Sequence, residues 1–301
     1  MGSIDAAYQN LDWEHSPIGN EDYWHRGLLE SRVITPALTI GLSDYFNLTI
    51  AQSIGIRIMN YDEIDGVEPT SHHRDESSDT DYYNANGGVL GDLKLLLRYL
   101  ILNDGMQGNR LFLGSGLIIP SSSKLTKSPF IKDSNGNYDD HRHFAMSEGT
   151  YQWIGELQFF RKLTPPIVFW GASSVLTLPL KENSEGYLSP LRLDLSLSFL
   201  TQKIKLINAS LGFYIQYRYS GHEQWDGLIQ DNSEGHVLTP GTGLIWSTKN
   251  KLGVSVNILF PKLISNSNLS AIEADVTNNL TAYQITLGLR KTFDYSIPFL
   301  E

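Results

Sequence analysis

Alternating apolar and polar positions dominate long stretches of this chain. The segment GDLKLLLRYLI, from Gly91 to Ile101, has an apolar or tyrosine side chain at each odd position from 93 onward, and its even positions include Asp92, Lys94 and Arg98. Successive side chains of a β-strand point to opposite faces. One face of this segment is therefore continuously apolar, and the other carries three charges. The same alternation, with no match to helical spacing, recurs over 46–58, 191–199, 206–219 and 283–290.

The alternation predicts about eleven long strands. They span 30–41, 45–60, 89–102, 109–120, 150–163, 167–179, 190–200, 203–219, 237–247, 251–260 and 280–293. Most have 11 to 15 residues, whereas a typical strand has about five or six. A tilted strand that crosses a bilayer needs about 9 to 11 residues, so the lengths favour a membrane barrel.

The connections between these strands alternate in length. Short connections fall at 42–45, 103–108, 164–166 and near Gln202 and Lys249, and long ones at 61–88, 121–149, 180–189, 220–236 and 261–279. This sorting is typical of outer-membrane barrels, which have short periplasmic turns and long extracellular loops. We therefore predict an all-β, transmembrane, antiparallel up-and-down β-barrel. The alternative is a soluble antiparallel sandwich or barrel whose leucine faces lie inside.

A sheet that spans lipid can have no free edge, so the strands must close into a ring. Single-chain bacterial barrels normally have an even number of strands, and the region before Ser31 is expected to supply a twelfth, around Ala6–Trp13. We accordingly divide the chain into an N-terminal segment, 1–29, and a barrel of about 12 strands, 30–301. The N-terminal segment is expected to form the extra strand or to fold at the barrel mouth.

Composition excludes several other classes. The chain of 301 residues has a net charge of −10 and no basic cluster, which argues against a nucleic-acid partner. It has no cysteine, which excludes a disulfide framework and suits export through an oxidising compartment. No GxSxG or other nucleophile motif is present, so an enzyme is not predicted, although a hydrolase built at the barrel rim stays open as an alternative.

Several segments resemble landmarks of a bacterial outer-membrane transporter family, also labelled meta-pathway phenol-degradation proteins. They are EHSPIGNEDYWHRGLLESRV (14–33), GVLGDLKLLLRYLI (88–101), LGSGLIIPS (113–121) and FAMSEGTYQWIGELQFFRK (144–162). Two departures stand out: the glycine expected after Pro120 is missing, and His25 is the only histidine at the end of the first motif. The resemblance implies a barrel that passes small solutes, including hydrophobic or aromatic ones.

If the apolar faces contact lipid, the opposite faces bring charged side chains into the barrel. The predicted lumen-lining residues are Arg57, Asp92, Lys94, Arg98, Glu156, Arg192, Asp194, Arg218 and Arg290. Charges inside a barrel need partners or water, so these residues either form a ladder that braces the lumen or line a pore.

The expected function is therefore a passive outer-membrane channel for small molecules, whose surroundings are outer-membrane lipid and lipopolysaccharide. The alternative is a structural or partner-binding barrel that acts through its extracellular loops. No cofactor is predicted beyond a divalent metal at the histidines of the N-terminal segment and the long loops. These candidate ligands are His15, His25, His72, His73, His141 and His143.

The metal hypothesis is testable by calorimetry with zinc and copper on protein that carries no histidine tag. Neutral imidazole binds such metals, so affinity is expected to fall below about pH 6.5, where histidine gains a proton. Binding that is unchanged in His72→Ala and His141→Ala would show that these loops supply no ligand.

Overall fold

The computed structural model describes residues 1–15, 25–61, 88–105, 108–122, 145–229, 233–266 and 278–294. Within them the strands are β1 (Gly2–His15), β2 (His25–Gly41), β3 (Phe46–Tyr61), β4 (Leu90–Asp104), β5 (Asn109–Ile119), β6 (Gln152–Lys162), β7 (Ile167–Pro179), β8 (Tyr187–Leu188), β9 (Arg192–Thr201), β10 (Ser210–Ser220), β11 (Gln224–Trp225), β12 (Leu228–Ile229), β13 (Gly235–Ser247), β14 (Leu252–Leu259), β15 (Lys262–Asn266) and β16 (Asn278–Lys291). In this part of the chain no helix is long and apolar enough to cross a membrane.

Twelve of these strands form one closed antiparallel barrel. Its order is β1 to β7, β9, β10, β13, β14 and β16, with β15 continuing alongside β13 after β14. Closure occurs where β16 pairs with β1, from Gly2 opposite Lys291 to His15 opposite Asn278. The predicted transmembrane β-barrel fold and its strand number are thus confirmed.

Some boundaries differ from those expected from the pattern. Residues Gly2–His15 form a full barrel strand, and β2 begins at His25, so the expected division at residue 29 falls inside a strand. Residues 203–209 form a turn, although 203–219 was predicted as one strand. Asn208 adopts a φ of 54° there, a left-handed conformation that asparagine tolerates better than most residues.

The outer surface of the barrel is an apolar belt. Leu195 and Leu197 on β9 and Phe213 and Ile215 on β10 are each at least 40% exposed, although they are large and hydrophobic. Their exposure contradicts the soluble alternative, which would bury these faces, and is typical of a lipid-facing surface. Near the short turns, the ring centroids of Tyr99 and Phe46 lie 4.9 Å apart. Outer-membrane barrels have girdles of aromatic residues at this level, where the membrane meets water.

Substituting neighbouring residues tests this orientation. Leu195 faces outward, whereas the Oγ atom of Ser196 lies 2.7 Å from that of Ser173 on the inner face of β7. Leu195→Arg should lower the free energy of unfolding in lipid by about 2 to 4 kcal/mol, and Ser196→Arg by much less. Denaturant titration of protein folded into vesicles gives both values, and equal losses would contradict the orientation.

Candidate functional site

The nine charged residues predicted to line the lumen all lie on strand faces opposite the apolar belt. The best-defined group crosses three strands, because Arg98 on β4 is opposite Gly114 on β5, which is opposite Glu156 on β6. Arg98 donates through Nε and Nη2 to both carboxylate oxygens of Glu156, and its Nη1 lies 2.9 Å from Thr49 Oγ1. Planar two-pronged pairs of this kind are among the stronger ionic contacts in proteins.

Gly114 makes this ion pair sterically possible. A Cβ atom at this position would lie 3.0 Å from both Glu156 Cβ and Glu156 Oε2. Without that side chain, Arg98 and Glu156 reach each other across the intervening strand. The side chain of Glu156 is only 5% exposed, and its charge is accompanied by a further hydrogen bond from Gln158 Nε2, at 2.9 Å.

Two more charged residues of the set pair directly across a strand boundary. Arg218 on β10 lies opposite Asp194 on β9, and its Nε atom is 2.6 Å from Asp194 Oδ1. Both side chains are accessible to the barrel interior, at 57% and 36% exposure. A pair this exposed contributes little to stability because water screens it.

Residues 145–150, which we call the inner segment, fold into the barrel between opposite walls. On one side Arg57 of β3 donates to the carbonyl oxygen of Ala145 at 2.7 Å. On the other, Glu148 forms an ion pair with Arg192 of β9, and Gln152 Nε2 donates to Glu148 at 3.1 Å. Ala145, Met146, Ser147 and Thr150 are buried, so the inner segment constricts the lumen.

Large side chains complete the filling of this side of the barrel. Leu96 on β4 and Ile154 on β6 point inward and are 0% and 1% exposed. On the same strand as Leu96, Asp92 accepts a hydrogen bond of 3.3 Å at its Oδ1 atom from the Ser121 amide. The β4–β6 half of the described interior is therefore occupied by protein atoms.

Above the inner segment, the short strands β8, β11 and β12 form a small sheet that we call the cap. The buried rings of Tyr187 and Trp225 hold it together, with their centroids 4.8 Å apart. The Tyr187 hydroxyl donates to Glu223 Oε2 at 3.1 Å, and a hydrogen bond of 2.7 Å joins the buried hydroxyls of Thr150 and Ser189. The cap thus rests on the inner segment.

Burial shifts the acid–base behaviour of the cap. It raises the pKa of the Glu223 carboxyl, an effect that nearby Glu148 adds to, and the Tyr187 hydroxyl and Arg192 oppose it. Burial likewise raises the pKa of the Tyr187 phenol. Folding of the cap therefore favours the protonated form of the Glu223 carboxyl over the ionised form.

The other half of the lumen is open. A cavity of about 520 Å³ runs along the inner faces of β10, β13, β14, β16 and β1. Neutral polar side chains make up about half of its lining, including Tyr214, Gln216, Ser255, Asn257, Gln284 and Thr286, and among the described residues its only charged lining residues are Asp5 and Arg290. The buried Oδ1 atom of Asn257 has no hydrogen-bond partner among the described residues.

Two of the predicted lumen residues differ from the rest because they are unpaired. On β4, Lys94 lies opposite Ala51 on one side and Ile118 on the other, and the side chains of Lys94 and Arg290 make no hydrogen bond or ion pair with the described part of the chain. Sequence reasoning missed Glu148, Asp5 and the cap. Glu148 lies outside the alternating pattern, and Asp5 lies in a strand whose position was only loosely predicted.

The histidine hypothesis lies largely outside the described residues. His72, His73, His141 and His143 belong to segments that the structure does not describe, and His15 and His25 face each other at the ends of β1 and β2, where only the backbone is described. Among the described side chains there is no group of three or more histidine and acidic residues that could hold a metal ion.

Comparison with known proteins identifies the fold. No protein-family model matches the sequence, and no curated protein matches it. The crystal structure of the COG4313 outer membrane channel from Pseudomonas putida F1 matches with a TM-score of 0.63 at 12% identity, over 97% of this chain and 95% of that one. The NanC porin matches with a TM-score of 0.46 at 8% identity, over 95% and 100% of the chains.

The likeness to the COG4313 channel confirms the expected outer-membrane barrel fold. At 12% identity it covers nearly the whole of both chains, so the two barrels share their overall architecture. Residues that act on a solute have to be identified from this chain itself.

The cap should loosen as pH rises. Since the Glu223 pKa is raised on folding, the carboxyl's stabilising contribution is complete below its unfolded pKa and is lost as pH rises through the folded pKa. Hydrogen exchange of residues 223–229, corrected for intrinsic rates, should show protection falling over that range. Glu223→Gln should stay protected throughout, and the exposed control Glu182→Gln should behave as wild type; a Glu223→Gln protein with the wild-type profile would contradict this role.

Proposed function

We propose that this protein is a bacterial outer-membrane channel through which small molecules pass passively along the open side of the lumen. The observation that carries the proposal is that one side of the barrel interior is filled and the other side is open. The inner segment and the Arg98–Glu156 pair fill the β4–β6 side, and the cavity of about 520 Å³ remains along β13, β14, β16 and β1.

The continuous apolar outer surface of the barrel supports a location in the outer membrane. The apolar face is continuous around strands that pair on both sides, and an edgeless barrel is the only sheet structure that can span lipid. The interior is polar, as in barrels that conduct solutes. The hydrophobic or aromatic solutes implied by the family resemblance remain a hypothesis, to be tested beside polar ones.

In this proposal the inner segment limits the size of what passes. It is anchored to β3 through the Ala145 carbonyl and to β9 through the Glu148–Arg192 pair. The lumen-lining role of the predicted charged residues belongs to the same proposal: Arg57 and Arg192 hold the constriction, Arg98 and Glu156 brace the wall, and Asp194 and Arg218 add an exposed ion pair to the lumen surface. Arg290, which lines the open cavity, is left to act on the solute.

A second candidate function is binding of a partner through the extracellular loops. Leu228 and Ile229, on the outermost strand of the cap, are 70% and 58% exposed and lie apart from the lipid-facing belt. Exposed apolar side chains at such a position favour a contact surface. This candidate predicts that Leu228→Ser and Ile229→Ser alter binding to cells or proteins without altering conductance.

Conductance in planar bilayers and swelling of liposomes test the channel directly. Wild-type protein should conduct ions, and Glu148→Ala should conduct more. Loss of one partner from a partly buried ion pair weakens the anchor by about 1 to 3 kcal/mol, so the inner segment spends more time away from β9.

The matched control is Glu182→Ala, which removes an exposed carboxylate from the same loop region as the cap. It should leave conductance unchanged. Correctly folded protein that passes neither ions nor any solute would contradict the channel, and equal conductance of Glu148→Ala and wild type would contradict the constriction.

A further inference from the structure

We infer that the open cavity contains a subsite for small dipolar solutes, which carry one positive and one negative group. Arg290 receives the anionic group and Asp5 the cationic group. This inference rests on the proposed function and specifies the class of solute that the channel favours.

The strand register places the two charges side by side. Ser3 of β1 is opposite Arg290 of β16, and Asp5 is opposite Gly288. Asp5 and Arg290 are therefore diagonal neighbours on adjacent strands, whose Cα atoms lie about 7 to 8 Å apart in such a pair. Both side chains line the same cavity.

Neither charge is neutralised by the protein. The side chains of Asp5 and Arg290 are exposed to the cavity, and neither side chain forms a hydrogen bond or ion pair with the described residues. Three other lumenal arginines, Arg98, Arg192 and Arg218, are each paired with a carboxylate. The cavity thus retains one cation and one anion whose hydrogen-bonding capacity is available to a solute.

Gly288 keeps the space between these charges open. A Cβ atom there would lie 2.8 Å from Asp5 Oδ1 and 2.5 Å from Ser255 Oγ, so any side chain would displace both groups. The surrounding wall adds neutral donors and acceptors, such as Gln284 and Thr286, without a competing charge. A volume of about 520 Å³ lies within the usual range of small-molecule sites.

These features distinguish solutes by the arrangement of their charges. A simple anion is attracted by Arg290 and repelled by Asp5. A simple cation is attracted by Asp5 and repelled by Arg290. A dipolar solute can satisfy both residues at once through charge-assisted hydrogen bonds, which are stronger than neutral ones. Neutral solutes of equal size gain neither contact, so they should pass without measurable binding.

The test uses full-length protein in planar bilayers, with β-alanine as dipolar solute, propionate as anion and 1,3-propanediol as neutral solute of similar size. β-Alanine should reduce the ion current in a saturable manner, propionate more weakly, and propanediol only through viscosity. Arg290→Gln should weaken the effects of β-alanine and propionate, each by about tenfold in apparent affinity. Asp5→Asn should weaken the effect of β-alanine alone.

Asp294→Asn is the matched control, because this exposed carboxylate near the same rim pairs with Lys251 outside the cavity. It should retain the wild-type response to all three solutes, and heat-modifiable gel migration shows that each variant is folded. A conducting wild-type channel that responds equally to β-alanine and propanediol overturns the subsite but leaves the channel standing. A folded barrel with no conductance overturns the proposed function and the subsite together.

Discussion

The pairing of β1 with β16 is the contact on which the rest of the structure depends. Within lipid no water is available to an unpaired backbone amide or carbonyl, and each such group is costly. Fourteen residue pairs, from Gly2 opposite Lys291 to His15 opposite Asn278, remove both free edges at once. The first and last strands of the chain must therefore meet before any lumen exists.

Closure with twelve strands creates an interior wider than wall side chains alone would fill. The chain fills part of it in two ways. Long inward side chains meet across strands that carry glycine, as Arg98 and Glu156 do over Gly114. The inner segment supplies the remaining atoms and is held by Arg57 and Arg192. A barrel of twelve strands thus leaves interior space that these ionic contacts span, and their main effect is to fix the shape of the lumen.

Much of this architecture could be predicted from alternation, because a strand period of two is a local property. Leu195 and Ser196 were correctly assigned to opposite faces for that reason. Contacts made by irregular segments could not be predicted: nothing local in the sequence indicates that Glu148 turns inward to meet Arg192. Alternation also failed at 203–209, where Ile207 and Ala209 continue the apolar face of β10 in sequence but Asn208 adopts the left-handed conformation of a turn.

The position of the open cavity has a physical cause in the size of inward side chains. On β4 and β6 the inward positions carry the large side chains of Leu96 and Ile154, which are fully buried. On β14 and β16 they include Ser255 and Gly288, which leave room. In the proposed channel, a solute therefore follows the wall next to the β1–β16 seam, where the charged side chains are few and unpaired. Because paired charges largely cancel at a distance, the selectivity of such a passage depends on the small number of charges that the fold leaves without partners.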